Sequence, residues 1–117
     1  MYQLPVQTLF RLAFVALVVV VFVACMIPIP DALTVFSWQD KVEHVASFLG
    51  LTMLGVCGWP QRASRVAIGL VAYGGLIELA QTLTSWRSGD VLDWLADGLG
   101  VLLGLALVKA FRRPRPV

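Results

Sequence analysis

The sequence predicts an all-α integral membrane protein: a four-helix bundle with both termini on the cytoplasmic side. Three observations carry this reading. Apolar residues make up 59% of the chain and charged residues only 14%, against about 45–50% and about 25% in soluble domains. The apolar residues fall into four runs, 9–27, 42–59, 66–84 and 91–111, each close to the roughly 20 helical residues that cross a hydrocarbon core of about 30 Å. The basic residues also segregate strongly to one side of those runs. Mean hydropathy is +0.85. At 117 residues the chain is one domain. The composition excludes a disordered chain, a nucleic-acid-binding domain and an ordinary soluble globule. The net charge of +2 says less than where the charges lie.

The first run, 9–27, carries one charge, Arg11, and stops at Pro28-Ile29-Pro30-Asp31, because proline cannot continue a helix. Its Val18-Val19-Val20-Val21 segment suits a strand in water, but a lone strand in lipid leaves its backbone groups unpaired, so helix is expected. A competing reading treats Val23-Ala24-Cys25 as a lipoprotein-type cleavage site. Phe22 stands where such sites favour leucine, and the apolar run continues past Cys25. A retained membrane helix is therefore the expectation. The second run opens with Glu43 and His44 and ends at Pro60, the third holds one acid, Glu78, and the fourth holds Asp93 and Asp97 early and Lys109 late.

With alternating helices, Arg11, Arg62, Arg65, Lys109, Arg112, Arg113 and Arg115 share one side, and only Lys41 and Arg87 lie on the other. All 7 acidic residues lie on that other side or in the half-membrane beside it. The positive-inside rule places the first group in the cytoplasm and the loops at 28–39 and 85–89 outside. The tail Arg112-Arg113-Pro114-Arg115-Pro116 reads as a topology signal, with anchoring to anionic lipid the alternative. Cys25 and Cys57 fall near opposite membrane faces, too far apart for a disulfide.

Ionisable residues within a membrane segment are costly, so each marks a candidate site. Asp40, Lys41 and His44 open the second helix, with Asp40 and His44 at i,i+4 on one face. Glu78 and Gln81 lie at i,i+3 near the outer end of the third. Arg87 follows in the loop. Asp90, Asp93 and Asp97 form one stripe of the fourth helix, which Gly100 and Gly104 continue. Small residues at that spacing let a neighbouring backbone come close. These residues are expected to meet at one depth and to line a polar pocket open to the outside. The alternative is a satisfied polar network that pins three helices together. Five acids beside two cations and one histidine favour the pocket.

The order Asp40-Lys41-x-x-His44-x-x-x-Phe48, Glu78-x-x-Gln81, Arg87-x-x-Asp90, then Asp93-x-x-x-Asp97-x-x-Gly100 resembles the VanZ-like family of small bacterial membrane proteins. The resemblance spans residues 40–104. The family often has asparagine near the position of Asp97, so this site is more negative. The founding member is linked to resistance against the glycopeptide teicoplanin. The resemblance implies a cell-envelope role at the outer face of the bacterial cytoplasmic membrane, without an agreed activity, and the antibiotic phenotype is not carried onto this chain.

The residues support three functions. In the first, Lys41 and Arg87 hold the phosphate of an envelope lipid or glycolipid, with Asp40, Gln81, Asp90, Asp93 and Asp97 completing the binding site. His44 and Glu78 are then the candidate acid/base pair. In the second, a divalent cation joins the carboxylates and His44, although no H-E-x-x-H spacing exists. In the third, the chain is a non-enzymatic helper whose polar contacts are structural. A transmembrane proton path is disfavoured, because the cytoplasmic halves hold no acid. Substrate, metal, catalysis, oligomeric state and any protein partner stay open.

Overall fold

The computed structural model describes residues 4–112. Residues 113–117, which hold Arg113 and Arg115 of the basic tail, lie outside the described residues. Four helices follow in order: α1 (Val6–Met26), α2 (Gln39–Gly58), α3 (Ala63–Thr82) and α4 (Val91–Phe111). Short 3₁₀ turns at Asp31–Leu33 and Pro60–Arg62 sit in the connections after α1 and α2. The described residues contain no strand.

The first three helices begin before their apolar runs do, because polar residues can occupy a first turn. At the start of α2, Gln39 accepts from the Val35 N–H at 2.7 Å and donates to Leu33 O at 3.0 Å and to Glu43 Oε1 at 3.0 Å. The chain is thereby helical before Val42. At α4 the N-cap is Asp90, whose Oδ1 accepts from the Leu92 N–H at 2.9 Å, so one of the unpaired donors of the first turn is satisfied.

The segment Pro60–Thr82 and helices α1 and α4 are long and apolar enough to cross a membrane. The α2 helix has matching length, 20 residues, and its polar content is concentrated in its first two turns. Valines and leucines such as Val15, Val19, Leu76, Leu79 and Leu102 face outward, as expected where the surrounding solvent is lipid.

The most extensive interface joins α2 and α4, and α1 packs mainly on α2. The small-residue stripe makes the first possible. A Cβ on Gly100 would strike the Val45 carbonyl oxygen and approach Phe48 Cβ at 3.0 Å, and one on Gly104 would come 2.7 Å from Thr52 Cβ. Lipid tails supply no hydrophobic force between helices, so this close backbone approach and its van der Waals contact hold the pair together. The core around it contains Phe48, Leu51, Leu70, Ile77 and Val101.

Elsewhere α1 is tied by side chains that reach its carbonyls. Tyr73 Oη donates to Val18 O at 2.6 Å, Gln81 Nε2 to Cys25 O at 2.8 Å and Trp86 Nε1 to Met26 O at 2.7 Å. At the opposite end Arg11 Nε donates to Gly58 O at 2.8 Å, and its guanidinium lies 5.3 Å from the Trp59 ring centroid. That bond satisfies an orphan carbonyl at the C-terminus of α2. Cys25 and Cys57 are both free thiols.

Candidate functional site

Helices α2, α3 and α4 bring their polar residues together at one end of the bundle. The α2 and α4 helices contribute in register because their close packing sets Asp40, Lys41 and His44 opposite Asp90, Asp93 and Asp97. Lys41 Nζ lies 3.0 Å from Asp90 Oδ2 and 2.5 Å from Asp93 Oδ1. Lys41 and Asp90 lie just outside the apolar spans. The hydrogen bonds to Asp93 and Asp90 push the Lys41 ammonium pKa above its ordinary value. The Leu92 N–H, with Lys41 second, pulls the Asp90 carboxyl below its own.

His44 occupies the centre. It is 4% exposed. Its Nδ1 lies 2.6 Å from Asp97 Oδ1, and a carboxylate acceptor selects the tautomer that donates from Nδ1. Its Nε2 faces Asp40 Oδ2 and Asp93 Oδ2, each at 3.9 Å. Asp97 is fully buried. Room for it comes from Gly74 on α3, where a Cβ would stand 2.7 Å from Asp97 Oδ2. Gly74 was not singled out in the sequence; its spacing of four residues from Glu78 is the signal that could have found it.

Glu78 is 9% exposed and Gln81 fully buried. Glu78 Oε2 accepts from the Asp90 backbone N–H at 2.8 Å, which anchors the start of α4 to α3. Glu78, the expected acid/base partner of His44, makes no direct bond to it. Instead Asp97 takes the His44 bond, and Asp90 and Asp93 take Lys41, because α4 lies closer than α3 against α2. Glu78 still has a carboxylate oxygen within 4.8 Å of ligand atoms of His44 and Asp97. Three buried acceptors, Glu78 Oε1, Gln81 Oε1 and Asp97 Oδ2, have no hydrogen-bond partner among the described residues.

A cavity of about 360 Å³ lies beside this network, between α1 and α2. Leu17, Val20, Val21 and Ala24 of α1 form an apolar wall. Asp40, Glu43, His44 and Ser47 of α2 and Arg87 of the α3–α4 connection form a polar one. The nine expected site residues therefore divide between positions. Asp40, His44 and Arg87 line the cavity, whereas Glu78 and Asp90 border a groove on the α3–α4 face. Lys41, Gln81, Asp93 and Asp97 line neither. Lys41, expected beside Arg87, is spent on its two aspartates.

Arg87 is different. Its nearest charge contact is Nη2 to Asp40 Oδ1 at 3.9 Å, and its side chain is only 13% exposed. Among the described residues its guanidinium makes no hydrogen bond. A half-sequestered guanidinium with unused donors at a cavity wall is suited to a phosphate or carboxylate. Ser47 adds a hydroxyl on the same wall, and the apolar wall suits a hydrocarbon chain.

Comparison with known proteins agrees with the earlier resemblance. A family model described as VanZ/LLP1 matches residues 4–112. No curated protein and no solved structure matches the chain.

Proposed function

The chain belongs to the VanZ/LLP1 family, and from that premise we propose that it binds a phosphate-bearing lipid of the bacterial envelope at the outer face of the cytoplasmic membrane. The observation that carries this reading is the cavity whose polar wall holds Arg87 and whose apolar wall is α1. In this reading Arg87 takes the phosphate through its unused donors, Ser47 assists, and one acyl or prenyl chain lies along Leu17, Val20, Val21 and Ala24. The orientation follows from the basic residues at the Arg11/Arg62 end, which belong in the cytoplasm by the positive-inside rule. If the bound lipid is also processed, His44 at the cavity wall is the proton-transfer group, with Glu78 behind it as the second member of an acid/base pair.

The test is a titration of purified protein in a phosphate-free detergent with short-chain phosphatidic acid and with the matching diacylglycerol. Saturable binding of the first and not the second is expected, weakened at least about tenfold by Arg87→Ala, as for loss of a charge-assisted bond. Equal binding of both lipids contradicts the reading.

The internal pairing of the network favours a second reading: a non-enzymatic membrane helper whose polar cluster is structural. Lys41 is fully committed to Asp90 and Asp93. Under that reading no lipid binds saturably and Arg87→Ala changes nothing; under the first, Arg87→Ala loses phosphatidic acid binding while the protein stays folded.

A further inference from the structure

The acids of this end are not neutralised evenly. Lys41 bridges Asp90 and Asp93, and Arg87 lies nearest Asp40. Glu78 and Asp97 contact neither cation; of the two, only Asp97 is hydrogen-bonded to His44. Each is at least nine-tenths buried. Each also keeps one oxygen without a hydrogen-bond partner among the described residues. An ionised carboxylate in that condition is heavily penalised. The two come from different helices, α3 and α4, yet with His44 they bring ligand atoms within 4.8 Å of one another.

From this convergence we propose that Glu78 and Asp97 bind a hard divalent cation of the Mg²⁺ or Mn²⁺ class, with His44 as the residue that orients Asp97. Carboxylate oxygens are the ligands such ions prefer, and one or two carboxylates with water complete many of their sites. Asp97 is prepared for the role: Oδ1 takes the His44 N–H and Oδ2 remains for the ion. A hydrogen bond of that kind fixes a ligating carboxylate in place. Glu78 is held in the same way, with Oε2 on the Asp90 N–H and Oε1 unbonded. Gln81 Oε1, one turn further along α3, is a third buried and unbonded oxygen. Glu78, though not Asp97 or His44, also borders the groove on the α3–α4 face. The site does not depend on the lipid reading, because none of its ligands has to reach the α1–α2 cavity.

The test uses the full chain, stripped with a chelator in a phosphate-free detergent and titrated with Mn²⁺ alone, bound ion being counted by electron paramagnetic resonance. One Mn²⁺ per chain is expected, displaced by Mg²⁺. Glu78→Gln and Asp97→Asn should each weaken it at least about tenfold, while Asp31→Asn leaves it unchanged. Should either variant fail to fold, the wild-type chain decides: its melting temperature falls with chelator and recovers with Mg²⁺ if the site exists. Absence of Mn²⁺ from folded wild-type protein overturns the proposal. So does unchanged binding in folded Glu78→Gln. No phosphatidic acid is added, and the ion is read through Glu78 and Asp97 rather than Arg87, so failure here is distinguishable from failure of the lipid reading.

Discussion

His44 on α2 and Asp97 on α4 stand 2.6 Å apart, Nδ1 to Oδ1, across the tightest helix interface of the bundle, and both are buried. Both side chains of this bond are buried, whereas Lys41, which joins the same two stripes through Asp93 and Asp90, is 35% exposed. The bond leaves the other imidazole nitrogen, Nε2, facing Asp40 and Asp93, each at 3.9 Å.

Removing one partner should therefore cost more than removing both in sequence would suggest. Asp97→Asn is expected to destabilise by on the order of 2–3 kcal/mol, as a buried charge partner is lost. His44→Gln in the Asp97→Asn background should add much less than His44→Gln does alone. Reversible unfolding in mixed micelles measures the four variants. Additive effects would mean that the two residues act separately.

The glycine stripe gives a second, independent test. Gly100→Leu or Gly104→Leu should destabilise by about 1–3 kcal/mol or more, because a Cβ at either already meets α2. Leu103, which is 42% exposed, should tolerate alanine far better. Thermal unfolding of the purified variants provides the comparison. Equal tolerance at Gly100 and Leu103 contradicts the packing described.

The Lys41–Asp90 tie has a defined pH window. Asp90 is held below its ordinary value of 3.8, so its contribution is present above that pH and is lost as pH falls through the lower folded value. Lys41 is raised above 10.5 by its bonds to Asp93 and then Asp90, so their contribution is present below that pH and is lost as pH rises through the higher folded value. The stability difference between wild type and Lys41→Met should stay constant between about pH 5 and about pH 9 and shrink outside that range. Melting temperatures of both proteins across pH check this. A difference that changes between pH 5 and 9 would assign the tie to other groups.

The four helices and the inward placement of His44, Glu78, Gln81, Asp93 and Asp97 were legible in the sequence because lipid penalises each polar residue singly. A charged or amide side chain in an apolar run has to turn inward, whatever its partner. The Gly100–Gly104 stripe was legible for the same reason, since it continues the line of Asp93 and Asp97. Partner choice was not. Whether His44 meets Glu78 or Asp97 depends on how closely α3 and α4 approach α2, and spacing along one helix carries no information about that. Nor could spacing reveal the bonds of Tyr73, Gln81 and Trp86, whose acceptors are backbone carbonyls of α1. The division between cavity wall and buried network arises the same way. Lys41 and Arg87 look equivalent as cations, but only Lys41 lies within reach of two aspartates on α4.

Orientation is tested by cysteine accessibility. In intact cells an impermeant thiol reagent should label Asp31→Cys and Arg87→Cys and should miss Arg62→Cys, each placed in a background without Cys25 and Cys57. Labelling of Arg62→Cys from outside would reverse the bundle and remove the cavity from the outer face.

Native mass spectrometry of the gently purified protein tests the central claim, that the α1–α2 cavity holds a phosphate-bearing envelope lipid through Arg87, most directly. The wild-type chain should retain one phosphate-bearing lipid under activation that strips the bulk detergent and lipid. Arg87→Ala, which removes the phosphate ligand, and Ala24→Trp, which fills the apolar wall, should both lose it while remaining folded. The same retained lipid on all three proteins, or none on the wild type, would contradict the account.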